Sequence, residues 1–225
     1  MAQTSKTKVY NRIIAIGDVH GCHKELEELL GRLSPSETDL FIFLGDLINR
    51  GPDSHQTLEL ARNLQGIYLL GNHEQRFLNH KSNPANLKPA DQKTFNMLTE
   101  DDWNFLQTFQ LTHYETALDT IFVHGGFLPN IPWEAQDASV VTQIQVINKE
   151  GLPRKRSESP YSPHWSRKWN GPSFVVYGHT PSTKVRRTAF SLCLDTGCVY
   201  GGHLTACVFP EKRLYQVKAL QTYLS

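Results

Sequence analysis

The sequence predicts an α/β fold, and two observations lead to this prediction. In the first 70 residues, short apolar runs alternate with amphipathic helical patterns, as in a βαβαβ unit whose parallel strands are covered by helices. The second half holds five apolar runs with few helical patterns between them and is predicted to be rich in strands. A chain of 225 residues, 39% of them hydrophobic, suits a single well-packed domain over residues 1–225.

The first half supplies three predicted strands, at 12–16, 39–44 and 66–70. The first helix is predicted by leucines spaced i, i+3, i+4, i+7, namely Leu26, Leu29, Leu30 and Leu33. The second helix is predicted by Leu58, Ala61 and Leu64, with Asp53 or Ser54 as its cap. Residues 99–102 form a capping-box pattern that starts a further helix carrying Trp103, Leu106 and Phe109.

The second half supplies five predicted strands, at 120–124, 174–179, 191–195, 204–209 and 213–217, and we expect this half to end as a meander. Residues 129–173 contain six prolines and the basic run RKR at 154–156. We interpret this segment as mostly loop, with one short helix around Val140, Ile144 and Ile147. It makes a loop-rich insertion at about 133–170.

Composition excludes several classes of function. The net charge of +1 offers no strong field for bulk nucleic-acid or membrane binding, and no apolar run approaches the ~20 residues of a membrane span. The polar N-terminus does not resemble a signal peptide. The four cysteines form no CxxC pattern, which predicts free thiols and a cytoplasmic protein. The chain has neither a Walker loop nor the cysteine loop of a cysteine-dependent phosphatase.

Five of the predicted strands end in side chains that bind metals. The candidates are Asp18, His20, Asp46, Asn72, His124 and His179, each next to a glycine or within two residues of one. Because the carboxyl ends of parallel strands lie along one edge of a sheet, these residues are expected to converge. A lone histidine after a strand is usually structural, and an aspartate there is usually a turn or a cap. Five such coincidences favour a metal site.

The donor types indicate which metals would bind. Carboxylate, amide and imidazole groups without thiolate favour manganese, with iron and zinc as alternatives. Six ligands are too many for one catalytic ion that also holds water. They suffice for two divalent metal ions about 3.5–4 Å apart that share one carboxylate.

The blocks GDVHG (17–21), GDLINRG (45–51), GNHE (71–74), HGG (124–126) and GHT (178–180) resemble, in order, those of the phosphoprotein phosphatase branch of calcineurin-like metallophosphoesterases. The tail LDTGCVYGGHLTAC (194–207), with the pattern GDL-x-x-RGP-x-S, is most similar to symmetrical diadenosine tetraphosphate (Ap4A) hydrolases and ApaH-like phosphatases. The resemblance implies a β-sandwich of two mixed sheets flanked by helices.

The resemblance also implies a role for each ligand. Asp18 and His20 would hold the first ion, and Asp46 would bridge both ions. The second ion would take Asn72, His124 and His179. Pro181 stands where many relatives carry a further histidine, which would leave the first ion three protein ligands and room for water.

The implied reaction is attack on phosphorus by a hydroxide held between the two ions, without a covalent enzyme intermediate. Arg50 would hold phosphate oxygens, and His73 would serve the leaving oxygen as general acid. Arg167 is a weaker candidate for the second phosphate-holding arginine of the family. The alternative for Arg167, a solvated loop cation, is equally compatible with the sequence.

Asn49 departs from the protein phosphatases of this family, which carry aspartate there to orient the catalytic histidine. We expect Asn49 to accept a hydrogen bond from His73 without supplying charge. A nucleotide phosphate leaves with a pKa of about 6 and needs little protonation, whereas a serine alkoxide needs its proton. Asparagine therefore favours phosphoanhydride substrates.

The predicted function is hydrolysis of a small phosphorylated substrate, namely a dinucleoside polyphosphate. Alternatives are a protein Ser/Thr or Tyr phosphatase acting on a phosphoprotein, and a hydrolase of capped RNA ends or polyphosphate. A non-catalytic pseudo-phosphatase is a remote alternative, because all six ligand positions and His73 are intact. Residues 133–170 are expected to form a rim over the site that selects the substrate.

Overall fold

The computed structural model describes residues 10–224, and the segment 1–9, to which the signal-peptide argument applies, lies outside them. Its helices are α1 (His23–Leu33), α2 (Ser54–Arg62), α3 (Asn72–His80), α4 (Pro89–Met97), α5 (Glu100–Leu106) and α6 (Ala138–Gln143). Its strands are β1 (Arg12–Ile16), β2 (Asp39–Phe43), β3 (Gly66–Tyr68), β4 (Thr112–Glu115), β5 (Thr120–Val123), β6 (Val146–Ile147), β7 (Pro153–Arg154), β8 (Phe174–Tyr177), β9 (Arg186–Arg187), β10 (Ser191–Cys193), β11 (His203–Phe209) and β12 (Arg213–Lys218).

Two mixed five-stranded sheets form the centre of the fold. The first has the order β12-β11-β1-β2-β3, in which β1, β2 and β3 are parallel and β11 is antiparallel to β1. The second has the order β4-β5-β8-β10-β9, in which β5, β8 and β10 are parallel. The predicted α/β fold, with two mixed sheets flanked by helices, is confirmed.

Alternation along β1 shows how the layers pack. Ile14 and Ile16 face the helices and join a core that includes Leu26 and Leu29 of α1. Ile13 and Ala15 face the other way and pack in a core shared with Phe122 and Val176 of the second sheet. Since successive side chains of a strand point to opposite faces, one five-residue strand supports both layers.

The outer face of the second sheet is covered by the 127–169 segment. Val123 of β5 and Tyr177 of β8 pack there against Val141 of α6 and the fully buried Trp165. This segment therefore has its own ordered elements, α6 and the β6-β7 hairpin, where the sequence predicted mostly loop.

Two details of the sequence prediction are wrong. The helix predicted around Val140, Ile144 and Ile147 ends at Gln143, because the turn 148–151 folds Val146–Ile147 back onto Pro153–Arg154 as a hairpin. The last strands do not form a meander, since β10 lies parallel to β8 in the second sheet while β11 and β12 pair in the first. An apolar run predicts a strand but not the sheet that it joins.

Helices α3 and α4 and the short strands β4 and β9 were not predicted. All four cysteines are free and buried. Between residues 10 and 224, no helix is both long enough and apolar enough to span a membrane.

Candidate metal centre

The metal-type side chains follow the carboxyl ends of five strands, as predicted, but these strands belong to two sheets. Asp18, Asp46 and Asn72 follow β1, β2 and β3, while His124 and His179 follow β5 and β8. The sequence placed all five ends on one sheet edge, and the structure instead brings together the same end of two packed sheets. The predicted ligands therefore come from both sheets and meet at the interface between them.

Asp46 lies at the middle of the cluster. Its Oδ2 is 3.6 Å from Nε2 of His20 and 3.4 Å from Nε2 of His124. His124 Nε2 is also 3.1 Å from the amide oxygen of Asn72. Asp46 belongs to two groups whose ligand atoms all lie within 4.8 Å of one another, one with His20 and His73 and one with His124 and His179. A single carboxylate is thus shared between two potential cation positions.

Asp18 and His179 join the cluster through the backbone. Both carboxylate oxygens of Asp18 accept the backbone N–H of His179 at 3.1 Å. The rings of His179 and His124 lie edge to face with centroids 5.0 Å apart. All six predicted ligands are therefore brought together.

Each of the three histidines contacts a backbone carbonyl through one ring nitrogen. His20 and His124 each direct Nδ1 at a backbone carbonyl, Ile48 O at 3.2 Å and Leu44 O at 2.8 Å. His179 directs Nε2 at Gln143 O at 3.1 Å. A ring N–H donated to a carbonyl fixes the tautomer and leaves the other nitrogen as a lone-pair donor, which is the usual support of a metal-binding histidine. The donor set therefore fits divalent cations.

The pKa values divide the three histidines into two neutral rings, His20 and His179, and one protonated ring, His124. Burial lowers the pKa of His20 to about 4 and that of His179 to about 3, so both rings are neutral, the form that binds metals. Burial also disfavours charge on Asp46 and His124, but their mutual attraction prevails. It lowers the pKa of Asp46 well below its usual value and raises that of His124 to about 10. The centre thus stabilises positive charge beside Asp46.

Backbone strain is concentrated at this centre. Among described residues other than glycine, nine have a positive φ, and five belong to the site: His20, Asp46, Asn49, Arg50 and His179. Such conformations cost of order 1–3 kcal/mol each and persist where surrounding contacts impose them. At Gly178, a Cβ would lie 2.1 Å from Asp18 Oδ1, so only glycine permits this approach.

Glu74 imposes part of this conformation. Its buried carboxylate accepts the backbone N–H groups of Asp46 at 2.9 Å, Gly71 at 3.0 Å and Ile48 at 3.1 Å. Burial raises the pKa of Glu74 to about 7. Glu74 was not among the predicted site residues, although its place in the GNHE block could have identified it.

Asn49 contacts His73, but in the opposite sense to the prediction. The amide oxygen of Asn49 accepts the backbone N–H of Arg50 at 2.9 Å and the hydroxyl of Thr94 at 3.2 Å. Its Nδ2 therefore faces His73 Nδ1 at 2.9 Å and can only donate. The expectation that Asn49 accepts a hydrogen bond from His73 is wrong.

A carboxylate does lie near His73, but it does not contact the ring as an aspartate at position 49 would. It belongs to Asp91, and the Asn49 amide lies between Asp91 and His73. The Asn49 amide also donates to Asp91 Oδ1 at 2.6 Å, and Asp91 pairs with Arg76, whose Nη2 lies 3.2 Å from His73 Nδ1. Asp91 was missed because α4 carries no periodic apolar pattern and Asp91 is 42 positions from Asn49. Arg76 was also missed, although it lies in α3 two residues after the GNHE block.

With donors facing Nδ1, a neutral His73 carries its proton on Nε2. That atom is buried and has no hydrogen-bond partner among residues 10–224. Burial, together with the nearby cations Arg50 and Arg76, lowers the pKa of His73 well below its usual value. The ring lies 4.8 Å from that of His20, so a buried donor stands unpaired at the metal cluster.

Arg50 lies at the mouth of the cluster, with Nη1 3.0 Å from His20 Nε2. It lines a polar cavity of about 480 Å³ together with Asn72 and His179. Arg76, Lys88 and Lys155 line the same cavity, so four cations surround a space that opens onto two of the predicted ligands.

Arg167 is not brought to this centre. It is exposed and lines a separate cavity of about 380 Å³ with Arg156, Arg186 and the buried His164. Asp195, which the sequence analysis did not assign, is 5% exposed and follows β10. Burial raises the pKa of Asp195 to about 6, and burial together with the charge of Asp195 raises that of Asp18. Its position after a strand was the same signal that identified the other acids.

Comparison with known proteins agrees with this geometry. A sequence profile of the family described as calcineurin-like phosphoesterase matches residues 11–214. A bis(5'-nucleosyl)-tetraphosphatase PrpE [asymmetrical] of Oceanobacillus iheyensis is 29% identical, with 95% of each chain covered. The Bacillus subtilis protein of the same name is also 29% identical, over 92% of this chain and 95% of its own.

Solved structures give the same picture. A crystal structure of a proposed diadenosine tetraphosphatase superposes with a TM-score of 0.84 at 29% identity, covering 95% of this chain and 96% of that one. A protein serine/threonine phosphatase of Saccharomyces cerevisiae superposes with a TM-score of 0.57 at 15% identity, covering 96% and 82%. The second likeness shows a shared fold.

Proposed function

The chain belongs to the calcineurin-like phosphoesterase family, and we propose that it hydrolyses dinucleoside polyphosphates of the Ap4A type at a centre for two divalent cations. The relatives named as bis(5'-nucleosyl)-tetraphosphatases support this substrate class, because they match along nearly the whole chain. The geometry around His73 is the observation that carries it.

Asp18, His20 and Asp46 would hold one cation, and Asp46, Asn72, His124 and His179 the other. Bound cations of this kind polarise phosphoryl oxygens and supply a nucleophile from water near neutral pH. Manganese fits the oxygen and imidazole donors, and iron and zinc are alternatives. The backbone carbonyls behind His20 and His124 accept Nδ1–H and leave Nε2 facing the cluster, where a bound cation would take the place of the proton that Asp46 favours on His124.

The cationic cavity holds the phosphate chain. A guanidinium presents paired donors that match phosphate oxygens, and Arg50 stands closest to the cluster. Arg76, Lys88 and Lys155 extend the positive charge along the cavity. Such a series of cations suits a chain of several phosphates better than a single phosphate ester.

His73 acts on the leaving oxygen as a neutral hydrogen-bond donor through Nε2. Asn49 holds Nδ1 as an acceptor, so the neutral ring cannot release a proton without becoming an imidazolate. Stabilising a departing alkoxide would require a full proton, whereas a departing nucleotide phosphate, with a pKa of about 6, is already stable as an anion. The arrangement therefore matches cleavage of a phosphoanhydride.

Product analysis tests the proposal directly. The manganese-loaded enzyme is incubated with Ap4A, polyphosphate, capped RNA, p-nitrophenyl phosphate and phosphopeptides, and the products are separated by chromatography. The highest kcat/KM is expected for Ap4A. Cleavage that yields ATP and AMP would match the asymmetrical name of the relatives, and two ADP would match the symmetrical resemblance of the tail.

Asn49→Ala provides a matched test of the His73 argument. It removes the shorter of two donors to Nδ1, the other being Arg76 Nη2 at 3.2 Å, and is expected to lower the rate on Ap4A while leaving bound metal in place. Higher kcat/KM on phosphopeptides than on Ap4A in the wild-type enzyme would overturn the substrate proposal, and absence of bound metal would overturn the centre itself.

A further inference from the structure

A second cavity lies among residues that come after β8 and β10, the strands that lead to His179 and Asp195. Its volume is about 580 Å³, within the range of small-molecule sites, and it is lined by Pro181, Tyr200, three glycines and polar residues that include Lys218. Pro181 comes two residues after the predicted ligand His179, and Ser182 N–H donates to Asp195 O at 3.3 Å. The cavity is thus built on the same strand ends as the cluster.

Gly197 lies between Pro181 and Tyr200 in the wall of this cavity. It has φ +70°, a conformation that favours glycine, and a Cβ there would be in van der Waals contact with both neighbours at 3.8 Å. A longer side chain at position 197 would therefore occupy space beside the aromatic ring.

Tyr200 is held in place although its ring is exposed. Its backbone N–H donates to Gly197 O at 3.0 Å, and it forms an isolated bridge with Thr222 of the C-terminal segment. The preceding Cys198 and Val199 are each 1% exposed, while Tyr200 is 40% exposed. A rigid loop thus presents one aromatic face to the cavity.

Arg50 joins the two cavities. Its guanidinium lies 5.7 Å from the centroid of the Tyr200 ring, and it also lines the cationic cavity. A ligand that crosses Arg50 would have a polyanionic part on one side and a flat aromatic part on the other. Among the described residues, no Phe, Tyr or Trp lines the cationic cavity, whose aromatic rings are the imidazoles of His80 and the predicted ligand His179.

We infer that one nucleoside base of the substrate stacks on Tyr200 in this cavity, an inference that rests on the proposed function. Arg50 holds the adjoining phosphates, and the remaining phosphates lie along the cationic cavity. Stacking suits either purine because every base has a π face. The enzyme would recognise a single nucleoside end, so adenosine 5'-tetraphosphate should bind about as well as Ap4A.

The test compares Tyr200→Ala with Tyr200→Phe, which keeps the ring. Aromatic stacking of a base is worth enough that its loss should raise KM for Ap4A about tenfold relative to KM for inorganic tripolyphosphate. AMP inhibition should weaken by a similar factor relative to inhibition by inorganic phosphate. Tyr200→Phe should keep both ratios near those of the wild type. Tyr161→Ala, at a fully exposed tyrosine outside both cavities, is the control.

The outcomes separate the two proposals. If Tyr200 acts only by packing on Arg50, Tyr200→Ala will affect Ap4A and tripolyphosphate equally, and the base site is overturned while the proposed function stands. A base site elsewhere would leave the KM ratio and AMP inhibition unchanged, which also overturns the inference. A wild-type enzyme that cleaves p-nitrophenyl phosphate but not Ap4A overturns both.

Discussion

Replacing Asn49 by aspartate would place a second carboxylate against Asp91. In the native protein, Asn49 Nδ2 donates to Asp91 Oδ1 at 2.6 Å, and the two residues are 2% and 6% exposed. Asn49→Asp removes this donor and substitutes a like charge. Since a hydrogen bond to a charged group contributes about 1.5–3 kcal/mol, we expect a loss of stability of about 3 kcal/mol. For a chain of this length that is a fall in Tm of roughly 6–12 °C.

The double variant Asn49→Asp/Asp91→Asn exchanges the two groups and restores the balance. The amide introduced at position 91 can donate to the new carboxylate at position 49, so much of the lost stability should return. Urea unfolding of the wild type, both single variants and the double variant gives the coupling energy, expected at about 1–3 kcal/mol. Additive losses, within about 0.5 kcal/mol, would refute the assignment of this contact.

The exchange also tests the role of His73. A carboxylate at position 49 accepts from Nδ1 and favours the charged ring, so the leaving oxygen can receive a proton. In the double variant, kcat/KM on phosphoserine peptides should rise about tenfold relative to that on Ap4A, equivalent to about 1.4 kcal/mol. The single variant is a poorer test because two adjacent carboxylates share one proton. If the double variant leaves the ratio of kcat/KM on phosphoserine peptides to kcat/KM on Ap4A unchanged, position 49 does not determine substrate choice.

Three further predictions concern metal, phosphate and pH. Asp46→Asn is expected to lose metal and turnover, because a neutral amide is a poor bridge between two cations; metal analysis and assay check this, and wild-type values for both would contradict it. Lys155→Gln should raise KM for Ap4A up to about fivefold, with a smaller effect on p-nitrophenyl phosphate. Arg154→Gln, at a neighbouring residue that does not line the cationic cavity, is its control, and equal effects of the two variants would count against the phosphate role. The hydrogen bond from His55 to Asp102, at 2.7 Å, raises the pKa of His55, so its contribution is complete below about pH 6.5 and is lost as pH rises through the folded-state pKa. His55→Ala should therefore cost about 1 kcal/mol at pH 6 and less at pH 9 in urea unfolding, and equal losses would contradict this.

The sequence predicted the convergence of the ligands because strand ends carry that information locally. A glycine next to Asp46 or Asn72 after an apolar run marks a turn at the end of a strand, wherever the strand lies. Sheet membership is not local, and so the division of the ligands between two sheets and the departure of β10 from the expected meander could not be predicted. Arg167 shows the same limit, since nothing in a loop sequence states which cavity its side chain reaches.

Asp91 shows that asparagine in place of the family's aspartate at position 49 does not by itself reveal the charge near His73. Asn49 alone implied that the carboxylate had been lost, whereas the structure retains one beyond the amide, paired with Arg76. The amide between Asp91 and His73 then sets the direction of the hydrogen bond, and with it the ring nitrogen that carries the proton. In the proposed mechanism, the leaving groups that His73 can serve depend on whether a carboxylate contacts the ring directly or through the Asn49 amide. The mere presence of a carboxylate in the site does not decide it.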